Sequence, residues 1–283
     1  MATGNFKASL SRVLVSEGGF VDHPKDPGGA TFQGVTQRTY DAYRRGKGLK
    51  LRSVRSMTEG ERDEIYRRQY WDAVQGDNLP AGVDYVMFDG CTNSGPKQSI
   101  KWLQRALGSA YTGAIDGVIG LATLAALNAV DDVAALIGRI CDRRLAFLRA
   151  LDTWPTFGKG WQGRVQNVRR TGTAMAAGHA GEAAYFAAGA NVKASIENAR
   201  KAPSMAAGDA ATGGGAGGLT MAGTLQTLQE QLTPFSAAGG WITNLVVALA
   251  VGGTLLAVGG IAWRYYAKRK TAQLADALDA VPA

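Results

Sequence analysis

The chain has 283 residues and a formal net charge of +8, a length that fits two globular domains plus appendages. Its two cysteines, Cys91 and Cys141, sit inside apolar helical patterns, which suggests no disulfide framework and reads as buried thiols. Residues 1–201 hold 27 Lys and Arg against 19 Asp and Glu, and the remainder balances; a basic domain of this kind suits an anionic cell envelope or nucleic acid, and no nucleic-acid motif supports the second.

Met1 to Gly19 lacks a continuous apolar run and a small-residue cleavage site, so no N-terminal signal peptide is expected. Instead, Phe6, Leu10, Val13 and Leu14 recur at helical spacing, and Gly18-Gly19 stops the pattern. Glu17 stands in the last turn, within about 20° of Phe6 and Leu10 on a helical wheel. A lone Glu at a helix end is ordinarily a solvated group, but this one falls on the apolar face. Loss of solvent and the negative pole of the helix both disfavour its charged form. A carboxylic acid that keeps its proton is what general-acid cleavage of a glycosidic bond requires.

Pro24, Asp26, Pro27 and Gly28-Gly29 break the helix and mark a turn or short hairpin, and Thr31, Phe32, Val35 and Thr36 read as extended. Asp26 is either a turn residue bonding its own backbone or a second chemical group. Asp22 is a weaker candidate for that role, and His23 reads as a turn or surface residue. With His23 and His179 the only histidines, no metal cluster is expected.

From Glu17 to Thr36 the residues run E-G-G-F-x-x-x-P-x-D-x-G-G-x-T-x-x-G-V-T. This resembles the signature of glycoside hydrolase family 108, a family of N-acetylmuramidases. The resemblance implies a lysozyme-like fold, no cofactor, and Glu17 as the catalytic residue. Phage lysozymes of the Glu-Asp-Thr type are more distant relatives. They place an Asp nine positions after the Glu, as Asp26 is here, and a Thr one position later than Thr31; this resemblance adds Asp26 and Thr31 to Glu17 as candidate catalytic residues.

Thr36–Arg45 reads as helical and Gly46–Ser56 as a basic loop. Thr58 and Glu61 form a capping box, opening a helix with Ile65, Tyr66, Tyr70 and Trp71. By the resemblance this helix flanks the substrate groove. Trp71 is the candidate sugar-facing ring, with Tyr70 beside it; core packing at helical spacing is the alternative for Tyr66 and Tyr70. Another helix begins at Val83–Cys91. From Asn93, N-S-G-P, I-K-W-L-Q-R-A-L-G, D-G-V-I-G-L-A-T and the terminal F-x-K-G-W-x-x-R-V (Phe157 to Val165) resemble a helical peptidoglycan-binding module.

Residues 171–201 are Ala-rich and helix-permissive, and Pro203–Gly218 contains a Gly-rich stretch typical of a flexible linker. Met221, Leu225, Leu228 and Leu232 make a short amphipathic stripe. Trp241 to Trp263 carries no charge or proline, enough to cross a core of about 30 Å. Trp241, Trp263, Tyr265 and Tyr266 stand at its ends, and Arg264, Lys268, Arg269 and Lys270 follow. Gly252 and Gly259 recur on one face, which permits self-association in a bilayer.

The expected architecture is mainly α: a lysozyme-like domain with a short β-turn region (1–92), a peptidoglycan-binding module (93–170), a helical extension (171–201), a linker (202–218), a juxtamembrane segment (219–240), a transmembrane helix (241–263) and a basic cytoplasmic tail (264–283). The expected activity is an endolysin-type muramidase, anchored in the inner membrane by one span and acting on periplasmic peptidoglycan. A holin is the expected partner, and nucleic acid is not one. The alternatives are a lytic transglycosylase and a non-enzymatic, membrane-tethered wall-binding or secretion-assisting protein.

Overall fold

The computed structural model describes residues 4–21, 29–178, 193–212, 227–228, 230–234 and 240–279. It is mainly helical and forms two compact units, Met1–Ala199 and Arg200–Ala283.

In the first unit, helix α1 (Phe6–Glu17) buries Leu10, Val13 and Glu17, and ends at Gly18 with φ 74°. Three two-residue strands follow, β1 (Phe20–Val21), β2 (Thr31–Phe32) and β3 (Val35–Thr36), in an antiparallel sheet of order β1-β2-β3. Phe20 pairs with Phe32 and Val21 with Thr31; Thr31 pairs in turn with Thr36. Gln33 and Gly34 join β2 to β3 with φ of 48° and 77°. Two positive φ values in a two-residue loop make a type I′ turn, whose twist matches the flanking strands. Asp22, His23 and Asp26 lie outside the described residues.

Helix α2 (Gln37–Gly46) starts at Thr36, whose hydroxyl accepts from the Thr39 amide. The expected capping box opens α3 (Glu59–Tyr66), with both reciprocal bonds of Thr58 and Glu61 present. The chain then widens into a π-helical turn, Arg67–Trp71, before a tight 3-10 turn at Asp72–Val74.

Helix α4 (Val83–Ser94) is buried at every position from Val83 to Asn93. A helix covered on all sides is the centre of its fold. Around it pack α1, α5 (Pro96–Ala106), α7 (Val133–Arg149) and α8 (Trp154–Ala176), with α6 (Leu121–Asn128) between α5 and α7 in sequence. Where the sequence divides the chain at residue 93, α4 runs through that point. Ser99 of α5 donates to the Met87 carbonyl at 2.9 Å, and Gly90 lies against Ser99 and Trp102. Helix α8 comes close enough to α4 that a Cβ on Gly82 (φ +86°) would sit 2.1 Å from the Gly172 carbonyl oxygen. Cys91 and Cys141 are free and buried, and burial pushes their thiols up to about 12 and about 11.

Residues 193–199, expected to be helical, make only a 3-10 turn at Ile196–Asn198. They return to the helical body instead: the Ala194 amide donates to the Asn93 carbonyl, and Leu151 bridges Ala199. Backbone bonds to existing structure here replace the local bonds of a helix.

In the second unit, helix α9 (Ala206–Thr212) occupies part of the expected linker. It packs on a C-terminal helix, Gly240–Leu278, where Gly208 lies against the Gly260 carbonyl and Arg264 pairs with Asp209 at 3.2 Å. An Ala-rich segment reads as a linker only until a partner helix covers it. Met221 and Leu225 of the amphipathic stripe lie outside the described residues. The C-terminal helix is long and apolar enough to cross a membrane, with a window of mean hydropathy 2.3 that is 6% buried.

Candidate active site

Glu17 ends α1 and is 8% exposed. Its Oε1 accepts from Arg164 Nη2 of α8 at 3.1 Å, and both side chains are 4% exposed. Arg164 also donates to Asp89 of α4 at 3.1 Å and to the Thr92 hydroxyl at 3.3 Å. Arg144 of α7 completes the group, donating to Asp89 Oδ1 at 2.7 Å and to Asn93 Oδ1 at 3.3 Å. Two acidic side chains and two guanidiniums thus meet in the protein interior. Burial pushes the Asp89 carboxyl up, but Arg164 and Arg144 outweigh it and hold the group below the usual carboxylate range. In the same way Asp89 and Glu17 hold Arg164 charged against the cost of burial.

The other carboxyl oxygen of Glu17 faces the hairpin. A Cβ on Gly34 would lie 2.7 Å from Glu17 Oε2 and 2.3 Å from the Tyr66 hydroxyl. Only a glycine, free to take φ +77°, lets the turn close to this distance. Tyr66 donates its hydroxyl to the Gln33 carbonyl at 2.9 Å, and Arg62 Nη1 reaches Gln33 Oε1 at 2.9 Å. Both residues of α3 therefore pin the turn above Glu17. Burial, then the charge of Glu17, raises the Tyr66 phenol well above its ordinary value, so it acts here as a neutral donor.

Thr31 lies on β2, half-buried, and its hydroxyl donates to the Gly29 carbonyl at 3.0 Å. Tyr70 is half-buried with its ring 5.3 Å from that of Tyr66, and Lys193 stands near it. Trp71 is different from expectation. It is 0% exposed, meets Phe6 and Phe88 edge-on, and donates Nε1 to Asp77 at 3.0 Å. The π turn rotates it inward, so its ring is core and not a sugar platform. Asp26 is outside the described residues. Among the described residues, no group of three or more His, Cys, Asp or Glu could hold a metal.

Sequence reasoning missed Arg164, Asp89, Arg144 and Tyr66 as parts of the site. A signal for two of them was present: Asp89 is one of two charges, with Asp84, in an apolar helical run, and Arg164 is the arginine of F-x-K-G-W-x-x-R-V.

Residues 10–95 match the model of the family described as Glycosyl hydrolase 108, and residues 98–166 match that of the Predicted Peptidoglycan domain. The solved structure of Brucella abortus SagA is 44% identical over 62% of this chain and 97% of its own, with a TM-score of 0.54. The chain belongs to the glycosyl hydrolase 108 family. No curated protein matches it. Glu17, Gly34 and Tyr66 fall within the hydrolase segment of this family member, whereas Arg144 and Arg164 fall within the peptidoglycan segment.

Proposed function

We propose that the protein is an N-acetylmuramidase that hydrolyses the β-1,4 bond between N-acetylmuramic acid and N-acetylglucosamine. The observation that carries this reading is the buried Glu17 carboxyl, held at one oxygen by Arg164 and roofed by the Gln33-Gly34 turn. Glu17 gives its proton to the glycosidic oxygen as the C1–O bond breaks, which frees the N-acetylglucosamine hydroxyl. Water adds to C1 of the muramic residue, and its proton passes to a carboxylate, for which Asp26 is the proposed group. Tyr70 is proposed to flank the bound sugar.

The larger reading is an endolysin of phage origin, acting on a thin peptidoglycan layer and held at the inner membrane by the C-terminal helix. Arg264, Lys268, Arg269 and Lys270 follow the apolar stretch and favour a cytoplasmic C-terminus. The enzyme is proposed to wait on the cytoplasmic side until a holin breaches the membrane. A Cβ on Gly252 or Gly259 would meet nothing within 4 Å, which leaves that face open for helix association.

Mass spectrometry of digested peptidoglycan tests the activity. Reducing muramic ends are expected. Anhydro-muramic ends would identify a lytic transglycosylase, and no release would leave a non-enzymatic wall-binding protein.

A further inference from the structure

The segment matched as a peptidoglycan domain sends one side chain into the hydrolase site. Arg164 belongs to it by sequence, yet its guanidinium is 4% exposed and touches Glu17, 147 positions earlier in the chain. An exposed arginine could recognise an anionic wall polymer; this one is sealed off from any polymer by α4, α7 and its own helix.

We propose that Arg164 is a positioning residue of the hydrolase, which holds the Glu17 carboxyl and directs its proton to Oε2, so that the second matched segment completes the active site of the first. This rests on the reading of Glu17 as the general acid. A guanidinium carries only donors. With Nη2 donating to Oε1 at 3.1 Å, Oε1 must present a lone pair in the neutral as well as the ionised acid. A carbonyl oxygen accepts better than an acid hydroxyl, so this contact favours the neutral acid with its proton on Oε2, the oxygen that faces Gly34 and the hairpin turn. Without this contact the carboxyl is free to rotate about its last bond and carry the proton on either oxygen.

Arg164 is itself fixed. Asp89 receives it with both oxygens, at 3.1 Å each, and Thr92 accepts from Nη2 at 3.3 Å. Arg144 shares Asp89 Oδ1 with Arg164, donating to it at 2.7 Å, and no hydrogen bond or ion pair joins Arg144 to Glu17 among the described residues. The guanidinium is thus clamped by two residues of α4 before it meets α1, so its donor is aimed in advance of substrate. Such preorganisation is what general-acid geometry requires, because small misplacements of a reacting group cost large factors in rate.

The test is steady-state hydrolysis of soluble glycan strands by the full-length chain carrying Arg164→Lys, Arg164→Gln or Arg144→Lys, each assayed at the same interval below its own melting temperature. Arg164→Lys keeps the charge but loses the fork that spans Asp89 and Glu17, and is expected to lower kcat about 10- to 100-fold with KM unchanged. Arg164→Gln keeps a neutral donor and provides the same readout if the lysine variant does not fold. Arg144→Lys disturbs the same Asp89 cluster without touching Glu17, and is expected to lose far less in kcat. Equal losses in the Arg144 and Arg164 variants would make Arg164 a stabilising residue only and overturn the proposal, as would a rise in KM alone. A wild-type chain that releases no glycan would sink the functional reading as well, which separates the two failures.

Discussion

At the scale of single residues, the proposed chemistry depends on one buried carboxyl, Glu17. Glu17 ends its helix among buried groups, and Arg164 supplies a positive partner at 3.1 Å. Glu17→Gln keeps the shape and the Arg164 contact but has no proton to give. It is expected to abolish lysis of permeabilised cells while the protein melts normally and still sediments with peptidoglycan; turbidity loss near the wild-type rate would remove Glu17 as the acid. Asp26→Asn is expected to lose about 10²–10⁴-fold if the carboxylate takes a proton from water, and an unchanged rate would demote it to turn chemistry. Glu17 was legible because local periodicity places it on the buried face of its own helix. Arg164 was not, since a contact across 147 positions leaves no trace in local spacing. Its motif was visible, but nothing in the motif names the group it meets.

At the scale of elements, α3 and the turn that follows decide which aromatic rings are buried and which are left accessible. The capping box and the strand positions of Thr31, Phe32, Val35 and Thr36 were legible because they rest on neighbours a few residues away. The burial of Trp71 was not, because a wheel drawn at 100° per residue fails across the π turn at Arg67–Trp71. Trp71→Ala is accordingly expected to cost about 3–5 kcal/mol of stability, read by urea unfolding, with KM unaltered in the folded fraction. Tyr70→Ala should cost little stability and raise KM about 2- to 10-fold, the value of one aromatic contact. The same helix sets an acid limit. Burial alone would raise the Glu61 carboxyl, but bonds from the Thr58 amide, the Tyr40 hydroxyl and Arg52 bring it from 4.5 down to about 2. A carboxyl lower in the folded than in the unfolded chain stabilises the fold above the unfolded value and loses that contribution as pH falls. The melting temperature is therefore expected to drop between pH 4.5 and about 2, and Glu61→Gln should flatten that part of the profile. An identical acid slope in the variant would assign the loss to other carboxylates, such as Asp89.

At the scale of the whole molecule, the C-terminal helix raises the question of which side of a membrane the hydrolase occupies. Its 39 residues span about 58 Å at 1.5 Å per residue, against a hydrocarbon core of about 30 Å. The apolar part, Trp241 to Trp263, is enough to fill that core. The helix then continues without a break, carrying Arg264, Lys268, Arg269 and Lys270 beyond the apolar stretch. The 22 residues before it contain a single charge, Glu230. This asymmetry favours the basic end in the cytoplasm and, in the final state, the catalytic unit on the side of the wall. The two-stage proposal reconciles that end state with the safety of a growing cell. In that proposal the enzyme is held away from peptidoglycan before lysis, tethered or soluble, and a lesion in the membrane lets it reach the wall. A tag at the N-terminus and added protease in spheroplasts distinguish the stages. Protection before triggering and cleavage after it are expected, whether the waiting chain is soluble or tethered, with the protein in the membrane fraction after triggering. Steady cleavage in spheroplasts from intact, growing cells would rule out the waiting stage, and recovery in the soluble fraction after triggering would rule out the anchor.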